Sequence, residues 1–130
     1  MAGVARELSF LVVDDNEDIR DVFCRLVERA GHQASTAGDG QEAVEILQHA
    51  QFDVMLLDLT MPRMNGVDVV RWLRSHPDVA PSLRVVVISA WAGEHRAVLQ
   101  ELGIETVMQK PLRIQQLTDL IAETLLDLDS

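Results

Sequence analysis

Basic charge is scarce in this sequence. Eleven lysines and arginines stand against 21 acids, a formal net charge of −10. No basic patch is visible, so direct binding to nucleic acid is not expected. Cysteine is scarcer still: with Cys24 alone, no internal disulfide can form, which suits a reducing cytoplasm. Apolar runs are short, and none approaches the length that crosses a bilayer. The first residues, Met-Ala-Gly-Val-Ala-Arg-Glu, lack the apolar stretch of a signal peptide. No membrane association is expected, and a cytoplasmic location is. The four histidines, His32, His49, His76 and His95, do not pair at a metal-ligand spacing such as i, i+4.

What remains is an acidic chain of 130 residues, 48% hydrophobic and 25% charged. That composition is enough for one real core and leaves no room for a second domain of ordinary size. A single domain over 1–130 is expected, with its core from about 8 to 126. Short continuous apolar runs occur at Leu8 to Val13, Val54 to Leu57 and Val85 to Ile88, with weaker ones at Glu105 to Gln109 and Gln33 to Ala37. Continuous β-branched runs suit strands buried on both faces of a parallel sheet. Between them lie segments of helical spacing. Ile19, Val22, Phe23, Leu26 and Val27 form one stripe, with Asn16 as N-cap and Gly31 as stop. Ala43, Val44 and Leu47 mark a second helix, and Val67, Val70 and Leu73 a third. Val98, Leu99 and Leu102 mark a fourth, stopped by Gly103; Ile114, Leu117, Ile121 and Leu125 mark a fifth. Five β-α units predict an α/β fold: a five-stranded parallel sheet with right-handed crossovers, flanked by helices on both faces. Residues 127–130 suit a frayed end or the start of a tether.

In such a sheet, ligands bind beyond the carboxyl ends of the strands. The first strand ends in Asp14-Asp15, the third in Asp58, the fourth in Ser89, and the fifth runs into Lys110-Pro111. Three carboxylates, a hydroxyl and an amine thus meet on one rim. Clustered carboxylates repel unless they are protonated or share a cation. Mg²⁺ suits such a cluster, because it binds through one or two carboxylates and completes its shell with water and phosphate oxygens. An ionised aspartate can also act as a nucleophile towards phosphorus.

The stretches Val-Val-Asp14-Asp15-Asn16, Asp53-Val-Met-Leu-Leu-Asp58-Leu-Thr-Met-Pro62-Arg-Met-Asn-Gly66, Ser89-Ala90 and Lys110-Pro111 together resemble the receiver domains of bacterial two-component response regulators. The resemblance runs from about Leu8 to about Leu126. It implies a flavodoxin-like fold, with its five strands in the order 2-1-3-4-5, and a phosphoprotein that takes a phosphoryl group from a histidine kinase or a phosphotransfer protein. By position, Asp58 resembles the phosphoacceptor. Asp15 resembles the direct Mg²⁺ ligand and Asp14 the one acting through water, while Thr60 sits where a backbone carbonyl supplies a further ligand. Ser89 resembles the switch hydroxyl and Lys110 the residue pairing with phosphoryl oxygens. The Lys110–Pro111 bond is implied to be cis. The domain would catalyse its own phosphorylation and dephosphorylation without a separate substrate, and so would not be an enzyme in the usual sense. A downstream protein would read the face made by the fourth helix, fifth strand and fifth helix.

Two features depart from the family. Val107 stands where an aromatic commonly follows the switch hydroxyl, and the stretch from Ser89 to Gly103 is about one residue shorter than is common. The missing aromatic leans towards a module that signals by binding alone; the acid trio with Ser89 and Lys110 weighs against that. A phosphatase with an aspartyl nucleophile would commonly carry an acid two residues on, where this chain has Thr60. Cys24 reads as a small half-buried side chain, Met61, Pro62 and Met64 as loop packing, and Trp72 as an edge residue of the third helix. Trp91, two residues beyond Ser89, is expected to flank the route of a hydrolytic water.

Overall fold

The computed structural model describes residues 7–61 and 63–129, with backbone alone for the last two of these. The first six residues, read above as lacking a signal peptide, lie outside it, as do Pro62 and Ser130. The apolar runs become five parallel strands: β1 (Ser9–Val13), β2 (Gln33–Ala37), β3 (Val54–Leu57), β4 (Arg84–Ser89) and β5 (Thr106–Gln109). They form one parallel sheet, as the β-α alternation predicts, in the order β2-β1-β3-β4-β5 that the resemblance implies. β3 is buried along its whole length and β4 beyond its first residue. β2, the weakest strand in sequence, is a largely exposed edge strand. It is held by a parallel ladder to β1 from Ser9↔Gln33 to Val13↔Ala37.

Five helices connect and follow the strands: α1 (Glu17–Arg29), α2 (Gly40–His49), α3 (Gly66–Ser75), α4 (Arg96–Glu101) and α5 (Ile114–Asp129). The first three are capped by local polar chemistry. The side chains of Asn16, Asp39 and Asn65 accept hydrogen bonds from the N–H groups of Ile19, Glu42 and Asp68, satisfying donors that a helix start leaves orphaned. The chain leaves α1 and α4 through Gly31 (φ +92°) and Gly103 (φ +79°), where side-chain-bearing residues would be strained. α4 is short, and a 3₁₀ turn at Ala92–His95 precedes it.

Alternate residues of each central strand feed two cores. Leu11, Val13, Met55, Leu57, Val85 and Val87 pack with α2, α3 and Leu99 of α4. Phe10, Val12, Val54, Leu56, Val86 and Ile88 pack with α1 and α5. Each such side chain contributes about 1.5–3 kcal/mol by leaving water, so the two apolar layers fix the sheet between its helices. Two residues depart from the helical stripes expected of them. Val22 and Ile114 are exposed at 47% and 65%. In α5 the buried positions are Leu117, Leu120, Ile121 and Thr124, so the packed face begins one turn later than the apolar spacing implied. Residues 127–129 continue α5 rather than fraying from it. No helix among the described residues is long and apolar enough to cross a membrane.

Candidate functional site

The ladders bring the strand ends level. Val13 pairs with Leu57, Leu57 with Val87, and Ser89 with Gln109. Asp14 and Asp58 therefore each stand one residue past neighbouring strands, Ser89 closes the next strand, and Lys110 follows the last. The Asp58 N–H donates to the Val13 carbonyl at 2.9 Å and the Lys110 N–H to that of Ser89 at 3.0 Å, so the sheet ladder continues into the site.

Asp14 is only 3% exposed, Asp58 6% and Ser89 fully buried; Asp15 and Thr60 are exposed. One carboxylate oxygen from each of Asp14, Asp15 and Asp58 lies within 4.8 Å of the other two. Asp14 is held on every side. Its Oδ1 accepts from the Asn16 N–H at 2.9 Å, its Oδ2 from Lys110 Nζ at 2.5 Å, and its carbonyl from the Arg20 guanidinium at 2.6 Å. The same ammonium stands 3.6 Å from Asp58 Oδ2. Lys110 is the chain's only lysine, and the fold places it between two buried acids. Burial pushes the Asp58 carboxyl above the usual carboxylate range; Lys110 pulls it down, Asp14 pushes it up, and the N–H groups of Thr60 and Leu59 favour its charge. A group raised in this way is short of positive charge. Hard oxygen donors at this spacing, with one lysine to offset three acids, fit a small divalent cation.

The loop after Asp58 is closed against its surroundings. The Gly66 N–H donates to the Leu59 carbonyl at 3.0 Å and the Gly40 N–H to that of Met64 at 3.1 Å. A Cβ on Gly66 would lie 2.3 Å from the Asp58 carbonyl oxygen, so only glycine lets α3 start this close to the site. Arg63, with φ +67°, ion-pairs with Asp39. The Glu42 N–H and this guanidinium hold the Asp39 carboxyl below the usual range.

Every predicted site residue thus stands on the same rim, and the Lys110–Pro111 peptide is cis. Trp91 is half exposed, at 51%, and its backbone N–H donates to Ser89 Oγ at 3.2 Å. The sequence reading missed Arg20, the Arg63–Asp39 pair and Gln109, whose Nε2 donates to the Ala90 carbonyl at 2.5 Å. Arg20 follows Asn16 by one helical turn, which was a usable signal; the other two partners are distant in sequence and left none. The remaining candidates resolve as structural. The Cys24 thiol is pushed up by burial and by Glu28 and Asp21, the environment of an inert cysteine. His32 is buried and accepts the Leu8 N–H at Nδ1, 3.0 Å away. Trp72, in α3, packs partly buried against the core and stacks on His76.

Residues 10–122 match the family model described as the response regulator receiver domain. The chain belongs to the response regulator receiver family. Among receiver-bearing relatives, the sensory transduction protein RegX3 of Mycolicibacterium smegmatis is 33% identical over 110 residues, covering 84% of this chain and 46% of that protein. The polar-differentiation response regulator DivK of Brucella anthropi is 26% identical, covering 92% of this chain and 97% of that protein. The receiver thus spans about half the length of RegX3 and of other curated relatives that it matches. The receiver domain protein (CheY-like) of Methanospirillum hungatei superposes with a TM-score of 0.86 over 95% of this chain and 98% of that one. At 21% identity, that likeness speaks to the fold alone.

Proposed function

We propose that this receiver accepts a phosphoryl group on Asp58 from a phosphohistidine of a sensor kinase or phosphotransfer protein. An Asp58 carboxylate oxygen attacks phosphorus. The P–N bond breaks as the P–O bond forms, and its electron pair returns to the donor's imidazole. The observation that carries this reading is the buried Asp58 carboxylate, 3.6 Å from the only lysine and within 4.8 Å of two further acids. Mg²⁺, held by Asp14, Asp15 and Asp58 with the Thr60 carbonyl, would neutralise the acids and the charge on the transferring oxygens. Lys110 is positioned to turn from Asp14 towards the new phosphoryl oxygens and stabilise their charge. Ser89, at the end of the adjacent strand, keeps a hydroxyl proton to donate to another.

The domain promotes its own phosphorylation and hydrolysis and transforms no separate substrate, so it works as a switch in the cytoplasm and not as a turnover enzyme. Its output would be a changed protein-binding surface on the α4–β5–α5 face. The test is acetyl phosphate with Mg²⁺, read by intact mass. The expected result is a gain of one phosphoryl group that disappears on omitting Mg²⁺ or in Asp58→Ala. Equal labelling of Asp58→Ala would place the acceptor elsewhere.

A further inference from the structure

We infer that Gln109 is a positioning residue that latches the loop beyond β4 in its resting place and passes the displacement of that loop to β5. This rests on Asp58 being the phosphoacceptor. A phosphoryl group there extends past the end of β3, beside the last residue of β4. Because Leu57 pairs with Val87, Ser89 lies two residues further along that strand, on the side to which the group extends. Its hydroxyl is fully buried and has a proton to give. The Ser89 oxygen also accepts the Trp91 N–H at 3.2 Å, so a movement of the hydroxyl draws the Trp91 backbone with it.

Between these two residues stands Ala90, whose carbonyl is gripped by Gln109 Nε2 at 2.5 Å. The neighbouring Ser89 carbonyl accepts the Lys110 N–H at 3.0 Å. The last carbonyl of β4 and the first of the loop beyond it are therefore stitched to Lys110 and Gln109, where β5 ends. Among the described residues, Gln109 supplies the side-chain stitch. Val107, pairing with Val87 and packed against the α2–α4 side of the sheet, has neither the length nor the polarity to follow the hydroxyl. Gln109 itself is exposed, so a released amide alters the surface at the junction of β5 and α5. A contact that holds the loop where it stands here opposes its displacement, and on this proposal its removal favours the displaced state by the same free energy.

The experiment uses a Trp72→Phe background, in which Trp91 is the only tryptophan, and compares Gln109→Met with the parent. Phosphoryl occupancy after saturating acetyl phosphate and Mg²⁺ is followed by intact mass. Trp91 emission is followed while beryllium fluoride is titrated in the presence of Mg²⁺. The expected result is equal maximal occupancy in both proteins. The resting emission of Gln109→Met shifts towards the activated spectrum, and half-saturation falls about three-fold, the scale of one neutral hydrogen bond. Gln109→Arg, which restores a donor of sufficient length, is expected to return both values towards the parent. Equal occupancy with unchanged emission and half-saturation in Gln109→Met would overturn the latch while leaving the acceptor assignment standing. No mass gain in the parent would overturn the acceptor assignment and the latch together.

Discussion

Asp53 and Asp58 bracket one strand, β3, and carry the same side chain at its opposite ends. At the amino end, Asp53 Oδ2 accepts the Ser9 N–H at 2.9 Å, and the Asp53 main chain bonds both Ser9 and Arg84. That carboxylate closes a gap in the backbone accounting where β1 begins. At the carboxyl end, Asp58 is buried beside Asp14, and its carboxyl is pushed up by that burial. One acid completes the sheet, whereas the other is buried at its edge beside a second acid. The fold thus places a stabilising aspartate at one end of β3 and a destabilising one at the other, where the proposed phosphoryl transfer would use it.

Exchanging each acid for alanine separates the two roles most widely. Asp58→Ala should abolish phosphoryl uptake from acetyl phosphate while remaining folded. Asp53→Ala should take up the full phosphoryl group but lose about 1–2 kcal/mol of stability by urea unfolding, the cost of leaving the Ser9 N–H without its acceptor. Uptake lost in both variants would erase the distinction. Lys110→Ala comes next in size. Its fold should hold, because the ammonium serves the rim and not either core, and phosphorylation should slow by about a hundred-fold as the donor to the phosphoryl oxygens is lost. An unfolded variant, seen by circular dichroism, would assign Lys110 to the structural end of the comparison.

Within the rim itself, Asp14 is already engaged by Lys110 and Asn16, whereas Asp15 is exposed. Calorimetric titration should find Mg²⁺ affinity reduced about ten-fold in Asp15→Ala and less in Asp14→Ala. Equal losses would mean that the pair shares the ion evenly. The smallest effect concerns stability. The Asp58 carboxyl is raised in the folded state, so the stability it contributes is full below the ordinary carboxylate range and is lost as pH rises through the folded value. Asp58→Asn should therefore be more stable than the parent at neutral pH without Mg²⁺, by on the order of 1 kcal/mol. The gain should shrink towards nothing on acidification. A gain that persists in acid would point to side-chain packing as its cause.

The sheet and the gathering of polar residues on its rim were legible in the sequence for the same reason. Buried strands such as Val54–Leu57 tolerate few polar residues, so a carboxylate directly after one stands out, and strand ends meet by topology. β2 was hard to see because an edge strand with one neighbour can be mostly polar. The α5 stripe misled at Ile114 because the apolar spacing continues one turn beyond the packed face. Gln109 and the Arg63–Asp39 pair were invisible because their partners lie far away in sequence and each residue alone reads as solvated surface.

The uniqueness of Lys110 has a practical consequence. Ten arginines carry the rest of the basic charge, so amine-directed acylation of side chains samples one position, a lysine whose side chain is 17% exposed and whose ammonium is engaged with Asp14. Read by peptide mapping at this lysine, a reagent that ordinarily footprints a whole surface becomes a gauge of this rim. Its rate should report whether the amine is paired with carboxylate, displaced by a cation, or drawn onto a phosphoryl group, without any engineered label.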